Sequence, residues 1–210
     1  GLAKRRTSTF RKEKSRMAIY VTADLHLNHK GIIQFERTQF KTVEEHNSFI
    51  VGNWNNTVAK DDIVYVLGDV GFTPLEELKK WTTSLKGHKY LVYGNHDRFT
   101  NAQAYALGFE KTFVGPIYFN DKIILCHEPA MEGLNNPYVI VVHGHIHNGK
   151  MSLSNYYNVN IARTGYKPMK MDIFKTTAEA RCKSRREMFM QEWYKDYYSF
   201  DEKAQKTERK

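Results

Sequence analysis

Five short apolar runs, each followed closely by aspartate, asparagine or histidine, constrain the fold of this 210-residue chain more than any other feature. The runs are rich in Val, Ile, Leu and Tyr and carry few charges, which is typical of strands buried on both faces. Helix-like stretches alternate with them, as in an α/β fold. The predicted strands span residues 19–22, 63–67, 90–93, 123–125 and 138–142, and the predicted helices span 43–58, 74–85 and 100–107. Residues 113–119 and 157–161 have the pattern of antiparallel strands.

The polar residues that follow these runs are scattered along the sequence, but we expect them to meet in space. In open α/β sheets, ligands bind in a crevice beyond the carboxyl ends of the strands. Asp24 and His26 are two residues apart, so in extended chain they point to the same side, as do His145 and His147. The candidate donors that follow the five runs are Asp24, His26, Asp69, Asn95, His127, His145 and His147.

This donor set consists of carboxylates, imidazoles and one amide, without a thiolate. A structural zinc site normally has four ligands, frequently cysteines, and is closed. Seven oxygen and nitrogen donors are too many for one ion and suit two transition metals that share a carboxylate. Asp69 follows a central strand and is the expected bridge. The sequence therefore predicts a dinuclear centre of two divalent transition metals such as manganese, iron, cobalt, nickel or zinc.

The formal charge of +9 is carried by the two ends of the chain. Residues 1–16 contain seven basic side chains and one acidic, and residues 175–210 contain ten basic and seven acidic. Residues 17–174 contain 15 of each and are neutral. A nuclease that grips a long backbone is expected to spread basic side chains over its central surface, because phosphate contacts supply most of the non-specific affinity. The charge pattern therefore favours a small substrate.

Residues 1–16 are expected to be a basic leader, either foreign to the native protein or disordered, because a strand-like run begins just after Met17. They carry no apolar stretch of the kind that a secretory signal needs. The chain also has no apolar run near the length of about 20 residues that a membrane span requires. Two cysteines, Cys126 and Cys182, are too few for a disulfide framework. We therefore expect a cytoplasmic protein without a membrane partner.

The motifs that follow the five runs resemble those of the calcineurin-like metallophosphoesterases in their order and context. The matching residues are Asp24-Leu25-His26, Gly68-Asp69, Gly94-Asn95-His96-Asp97, His127 and Gly144-His145-Ile146-His147, within residues 17–161. The stretch 22–47 is similar to a subset of small bacterial and phage members. The resemblance implies a four-layer α/β/β/α sandwich. We assign that sandwich to residues 17–174 and a C-terminal helical extension with a disordered tail to residues 175–210.

The resemblance also implies a role for each site residue. One metal would be held by Asp24, His26, Asp69 and His147, and the other by Asp69, Asn95, His127 and His145. His96 would be the catalytic residue beside the scissile bond. Many relatives orient this histidine with an aspartate three residues after the bridging one, and here Phe72 stands at that position. Something else must therefore orient His96.

Six further residues are candidates for supporting roles at the site. Asn28 and His29 would line the phosphate pocket or stabilise its loop. Arg37 and Arg163 would clamp a phosphate or form solvated salt bridges. The last two, Asp97 and His143, lie next to predicted ligands and are expected to support them rather than coordinate.

Residues 179–200 are predicted to form a helix with an aromatic stripe that includes Phe189, Trp193 and Tyr197. The stripe would pack on the domain, form a homodimer with a second copy, or stack nucleic-acid bases beside basic side chains. Taken with the resemblance, the sequence predicts a dinuclear-metal-dependent phosphoesterase in which a metal-bridging hydroxide attacks a nucleotide or small phosphodiester. The alternatives are a nuclease that grips DNA or RNA with the basic tails, and a non-catalytic scaffold.

Overall fold

The computed structural model describes residues 17–72 and 74–188, which form two β-sheets flanked by helices. The strands are β1 (Ile19–Thr22), β2 (Ile63–Leu67), β3 (His88–Val92), β4 (Phe109–Phe113), β5 (Ile117–Asn120), β6 (Ile123–Leu125), β7 (Ile140–His143), β8 (Tyr156–Asn158) and β9 (Met169–Lys170). The helices are α1 (Lys30–Phe35), α2 (Val43–Thr57), α3 (Leu75–Thr82), α4 (Asn101–Ala106), α5 (Glu132–Asn135) and α6 (171–188, where the described residues end).

The first sheet has the strand order β4-β3-β2-β1-β9. Strands β1 to β4 run parallel, and β9 pairs with β1 in the antiparallel direction. The second sheet has the order β5-β6-β7-β8, in which β6 to β8 are parallel and β5 is antiparallel to β6. A bridge from Ala23 to Asn160 joins the residues just beyond β1 and β8, so the carboxyl ends of the two sheets meet.

Side chains alternate between two sides of each sheet, as expected for strands that are buried on both faces. Val64 of β2 packs with Trp54 of α2 on the outer side, whereas Leu67 packs in the core between the sheets. On β7, Val142 lies in that same core and Val141 faces the outer side, beneath α5. The result is the predicted α/β/β/α sandwich.

The predictions for two strands are wrong. The sequence predicts an antiparallel strand at 157–161, but β8 ends at Asn158 and runs parallel to β7. Residues 144–155 connect β7 to β8 and return the chain to the edge of the sheet where β7 begins. Strand β8 therefore runs in the same direction as β7. Residues 113–119 form no single strand, because β4 ends at Phe113 and β5 begins at Ile117. Of these two strands, β4 is parallel to its neighbour and only β5 is antiparallel.

Helix α6 begins at residue 171, eight residues earlier than predicted. Met171, Phe174 and Ala178 on its first turns are buried in the core between the sheets. The proposed boundary after residue 174 therefore falls inside one helix. The leader 1–16, the aromatic stripe, its homodimer contact and the tail lie outside the described residues. None of the described helices combines the length and the apolarity needed to cross a membrane.

Candidate metal centre

The seven predicted donors lie together where the carboxyl ends of the two sheets meet. Strands β1, β2 and β3 lead into the residues contributed by the first sheet, and β6 and β7 lead into those contributed by the second. The backbone N–H of His145 donates to the carboxylate of Asp24 at 3.1 Å, which joins the loop after β7 to the loop after β1. Convergence of the strand ends thus builds one site from both sheets.

Four of the donors form a compact group in which one ligand atom from each lies within 4.8 Å of the others, namely Asp24, His26, Asp69 and His147. The Nε2 atoms of His26 and His147 are 3.0 Å apart. Asp24, His26 and Asp69 are almost completely buried, with exposed fractions of 0%, 1% and 1%. The group is therefore a candidate site for one metal ion.

A second group lies on the other side of Asp69. The amide Oδ1 of Asn95 is 2.8 Å from His127 Nε2 and 3.0 Å from His145 Nδ1, and these two nitrogens are 3.2 Å apart. Asp69 faces both groups, because its Oδ2 is 3.7 Å from His26 Nε2 and its Oδ1 is 3.5 Å from His127 Nε2. The shared carboxylate is thus in a position to bridge two ions.

The chemistry of these donors fits divalent cations. The Nε2 atoms of His26 and His147 lie 3.0 Å apart, and the oxygens of Asp69 lie 3.5–3.7 Å from ring nitrogens, so in the matching tautomers these atoms offer lone pairs to a shared cation. Burial raises the pKa of Asp24 to about 7 and lowers the pKa of His26 well below its usual range. Burying carboxylates is costly unless they are paired or coordinate a metal. A cation at each group would satisfy both the lone pairs and the buried charge.

The backbone at the site is unusual as well. Five of the seven donors have positive φ, namely Asp24 (55°), His26 (50°), Asp69 (54°), His145 (68°) and His147 (43°). Left-handed backbone costs a residue with a side chain of order 1–3 kcal/mol and concentrates at functional sites, where the surrounding structure enforces it. These loops are therefore shaped for the positions of their side chains rather than for local stability.

Backbone and side-chain partners fix the loops. The carboxylate of Asp97 accepts the N–H groups of Asp69, Val70 and Gly94, each at 2.9 Å. His143 has its ring against Tyr156 and its Nδ1 2.8 Å from the Gly144 carbonyl. Asp97 thus holds the backbone that carries Asp69. His143 packs within the second sheet and contacts the neighbouring loop.

His96 lies at the exposed rim of the site. Its backbone N–H donates to Asp69 Oδ1 at 3.0 Å. The centroid of its ring is 5.5 Å from that of Phe72, and Phe72 stacks on His29 with a centroid distance of 4.1 Å. The residue three positions after Asp69 is thus an aromatic ring that packs against the histidine.

The four candidate substrate-binding residues do not all lie at the open face of the site. Asn28 and His29 lie between the site and a cleft, and Asn28 also accepts a hydrogen bond from Asn47 at 2.8 Å. Arg163 is exposed and donates to the Asn148 carbonyl at 3.4 Å. Arg37 is only 2% exposed and binds backbone carbonyls, so it does not reach the open face where it was expected to clamp a phosphate.

The cleft beside the site has a volume of about 860 Å³ and lies between α1, the start of α2 and the segment that leads into α3. His29 and Phe72 form the wall nearest the site, since the His29 ring centroid is 5.4 Å from that of His26. Lys30, Glu44 and Glu77 line the outer part. The cleft can therefore receive a group attached to a phosphate at the site.

Glu36 is a residue that the sequence interpretation missed. Its carboxylate oxygens lie 2.7 and 2.6 Å from Nδ1 of His147, a residue 111 positions away. A lone glutamate gives no sequence signal for such a contact. His46 and Asn47 on the buried side of α2 have a structural role, because they form a buried polar network with Arg37 beneath the loop after β1.

The fold and this donor arrangement define a metal-dependent hydrolase of phosphate esters. The sequence model of the calcineurin-like phosphoesterases matches residues 17–207. The chain belongs to this family, which confirms the resemblance found in its motifs. It is accordingly a metal-dependent phosphoesterase with a candidate metal-binding cluster.

The chain is also similar to individual proteins from archaea, phages and bacteria. An uncharacterised protein of Methanocaldococcus jannaschii, MJ1445, is 32% identical over 165 residues, which cover 74% of this chain and 88% of that protein. The gene 66 protein of Mycobacterium phage L5 is 37% identical over 81 residues, or 37% of this chain and 39% of its own length. Among solved structures, a protein of unknown function from Aquifex aeolicus, AQ665, has a TM-score of 0.61 at 23% identity and covers 77% of this chain and 100% of its own. This last likeness shows the fold alone.

Proposed function

We propose that the protein hydrolyses a phosphate mono- or diester of a nucleotide or similar small compound at a centre of two divalent metal ions, with manganese as the native metal. The observation that carries the proposal is the position of Asp69, whose two oxygens face His26 on one side and His127 on the other. When bound, two such ions activate water and neutralise the charge that develops on the phosphoryl group.

The residues of the chain position the donor atoms and supply a proton to the leaving group. The buried carboxylates and imidazoles hold their geometry through backbone contacts such as those of Asp97, so little reorganisation is needed during the reaction. His96 is the exposed imidazole beside this centre, and in its protonated form it donates a proton to the leaving oxygen. The Phe72 ring packs against it and takes the orienting role that a carboxylate has in many relatives.

The cleft next to His29 and Phe72 receives the organic part of the ester. Its lining combines aromatic rings, amides and charges of both signs, namely one basic side chain, Lys30, and two acidic ones, Glu44 and Glu77. Such a lining suits an uncharged or singly charged group such as a nucleoside. It offers little to a second phosphate, which supports a small ester over a long polynucleotide.

The experiment that tests this proposal is reconstitution of the metal-free protein with Mn²⁺ followed by assays on four kinds of substrate. These are bis-p-nitrophenyl phosphate, p-nitrophenyl phosphate, cyclic nucleotides and single-stranded DNA. We expect two bound Mn²⁺ ions per chain and turnover of a small ester. Asp69→Asn should lose both the dinuclear binding and the turnover, because the bridge is removed.

His96→Ala is the matched variant, since it should bind both ions and lower kcat by roughly 10²–10⁴-fold, as expected for loss of a general acid. A His96→Ala protein that lost its metals would show that His96 is a ligand instead. A wild-type chain that bound no divalent ion and cleaved no small ester would overturn the proposal.

A further inference from the structure

The turn that follows α1 contacts two separate loops of the candidate metal centre. Glu36 is the C-cap residue that follows α1, and its carboxylate lies 2.6–2.7 Å from His147 Nδ1. Arg37, the next residue, donates from Nη2 to the Asp24 carbonyl at 2.6 Å and from Nη1 to the Leu25 carbonyl at 2.9 Å. Two adjacent residues therefore connect the loop after β7 with the loop after β1.

We propose that Glu36 and Arg37 are positioning residues for the metal position formed by Asp24, His26, Asp69 and His147. The residues of this metal position lie on loops that follow strands of two different sheets. The turn contacts both the loop after β1 and the loop after β7, and so holds them in a fixed relation. The inference rests on the proposed metal centre, but the two contacts of the turn do not depend on which substrate is cleaved.

Glu36 determines which nitrogen of His147 is free to bind a cation. A carboxylate only accepts hydrogen bonds, so His147 Nδ1 must carry a proton, and in the neutral ring Nε2 then carries the lone pair that can bind a cation. That Nε2 lies 3.0 Å from His26 Nε2 and 4.0 Å from Asp24 Oδ1, inside the donor group. A carboxylate partner also makes a ligating imidazole more basic, and loss of such partners typically lowers metal affinity 10–100-fold.

Arg37 acts on the backbone of the same metal position. Asp24 has a φ of 55°, and a side chain in this conformation persists only where the surroundings enforce it. The buried guanidinium donates to the carbonyls of two consecutive residues, Asp24 and Leu25, and its fork of fixed donors suits this task. Arg37 therefore maintains the strained loop from which Asp24 and His26 project.

The test compares Glu36→Ala with Glu110→Ala by calorimetric titration of the metal-free full-length proteins with Mn²⁺. Glu110 is the matched control, because it makes a similar contact of 2.7 Å with His88 Nδ1, at the start of β3 and away from the site. We expect Glu36→Ala to weaken one of two Mn²⁺ binding steps 10–100-fold and to leave the other step unchanged. Glu36→Gln keeps a hydrogen-bond acceptor but no charge, so its Mn²⁺ affinity at that step should lie between those of Glu36→Ala and the wild type. Glu110→Ala should titrate as the wild type.

A second readout does not require metal. Nitrogen-15 NMR of the metal-free proteins, recorded at a pH at which the neutral ring is observed, should show the Nδ1–H tautomer of His147 in the wild type and a mixture of tautomers in Glu36→Ala. Glu36→Ala with unchanged Mn²⁺ binding and an unchanged tautomer would overturn the inference and leave the proposed function standing. A wild type that binds no Mn²⁺ would overturn the proposed function and, with it, the metal role of Glu36. Arg37→Lys should weaken the same Mn²⁺ step, because a single ammonium cannot replace the fork.

Discussion

Arg37 and His46 share a buried hydrogen bond that fixes the protonation of the histidine. Arg37 Nη1 lies 2.8 Å from His46 Nε2, and since a guanidinium only donates, the ring must accept and be neutral. The other ring nitrogen, Nδ1, then donates to Asn47 Oδ1 at 3.2 Å. Burial, and then the neighbouring Arg37 charge, lower the pKa of His46 to about 4. Neutral His46 thus links α2 to Arg37, which holds the loop after β1 that carries Asp24 and His26.

This low pKa predicts a loss of stability in mild acid. An unfolded histidine has a pKa of about 6.5, so between pH 6.5 and pH 4 the unfolded chain binds more protons at this position than the folded one. The contribution of His46 to the free energy of unfolding should rise with pH through this window and fall by about 3 kcal/mol as pH drops from 6.5 to 4. His46→Gln has no such proton to bind, so its stability should depend less on pH.

Urea unfolding of the wild type and of His46→Gln at pH 7 and at pH 4.5 measures this effect. The wild type should lose more stability than His46→Gln between the two values. Parallel profiles for the wild type and His46→Gln would show that His46 is not kept neutral by the fold.

At the scale of elements, the loops after β1 and β7 approach each other so closely that only a glycine fits at one contact. A Cβ on Gly144 would lie 2.6 Å from Asp24 Oδ2 and 2.6 Å from the Cβ of Ala23. Both distances are far shorter than a van der Waals contact, and both atoms belong to the segment that follows β1. The missing side chain of Gly144 is therefore what lets the two sheets bring their ligands together.

Gly144→Ala should displace Asp24 and weaken Mn²⁺ binding. We expect a loss of about 1–3 kcal/mol in the free energy of unfolding, as is usual for overpacking. Gly52→Ala is the control, because a Cβ there meets nothing within 4 Å and alanine is favoured over glycine inside a helix by about 0.5–1 kcal/mol. Denaturant unfolding and Mn²⁺ titration of both variants check the prediction. It fails if Gly144→Ala retains both properties of the wild type.

The sequence was sufficient to locate the strands that lead into the site, since a buried strand and the polar residue after it are both local signals. It was not sufficient for the contact of Glu36 with His147, because that depends on how a turn after α1 meets a loop of the other sheet. It also missed the start of α6, although Met171, Phe174 and Ala178 recur at helical spacing and are buried. The direction of β8 was mispredicted because strand direction depends on the path of the preceding connection.

At the scale of the whole molecule, the charge distribution separates the small-ester proposal from the nuclease alternative. Residues 17–174 carry 15 basic and 15 acidic side chains, and the net positive charge lies in the leader and the C-terminal segment. A protein that binds a polynucleotide releases the counterions of the phosphates it contacts. A protein that makes 6–10 phosphate contacts therefore loses about 10³–10⁵-fold in affinity when the salt concentration rises from 50 to 200 mM. A single small ester at a neutral body releases few counterions.

We therefore expect kcat/KM of the full chain on bis-p-nitrophenyl phosphate to change by less than about threefold between 50 and 200 mM salt, since at most one phosphate is engaged. Single-stranded DNA serves as the comparison substrate in the same assay, with the same enzyme and Mn²⁺ concentration. If the basic segments bind a strand, its cleavage must fall steeply with salt while hydrolysis of the small ester stays level. Efficient DNA cleavage with that steep dependence, and poor turnover of every small ester, would favour the nuclease over the proposed activity.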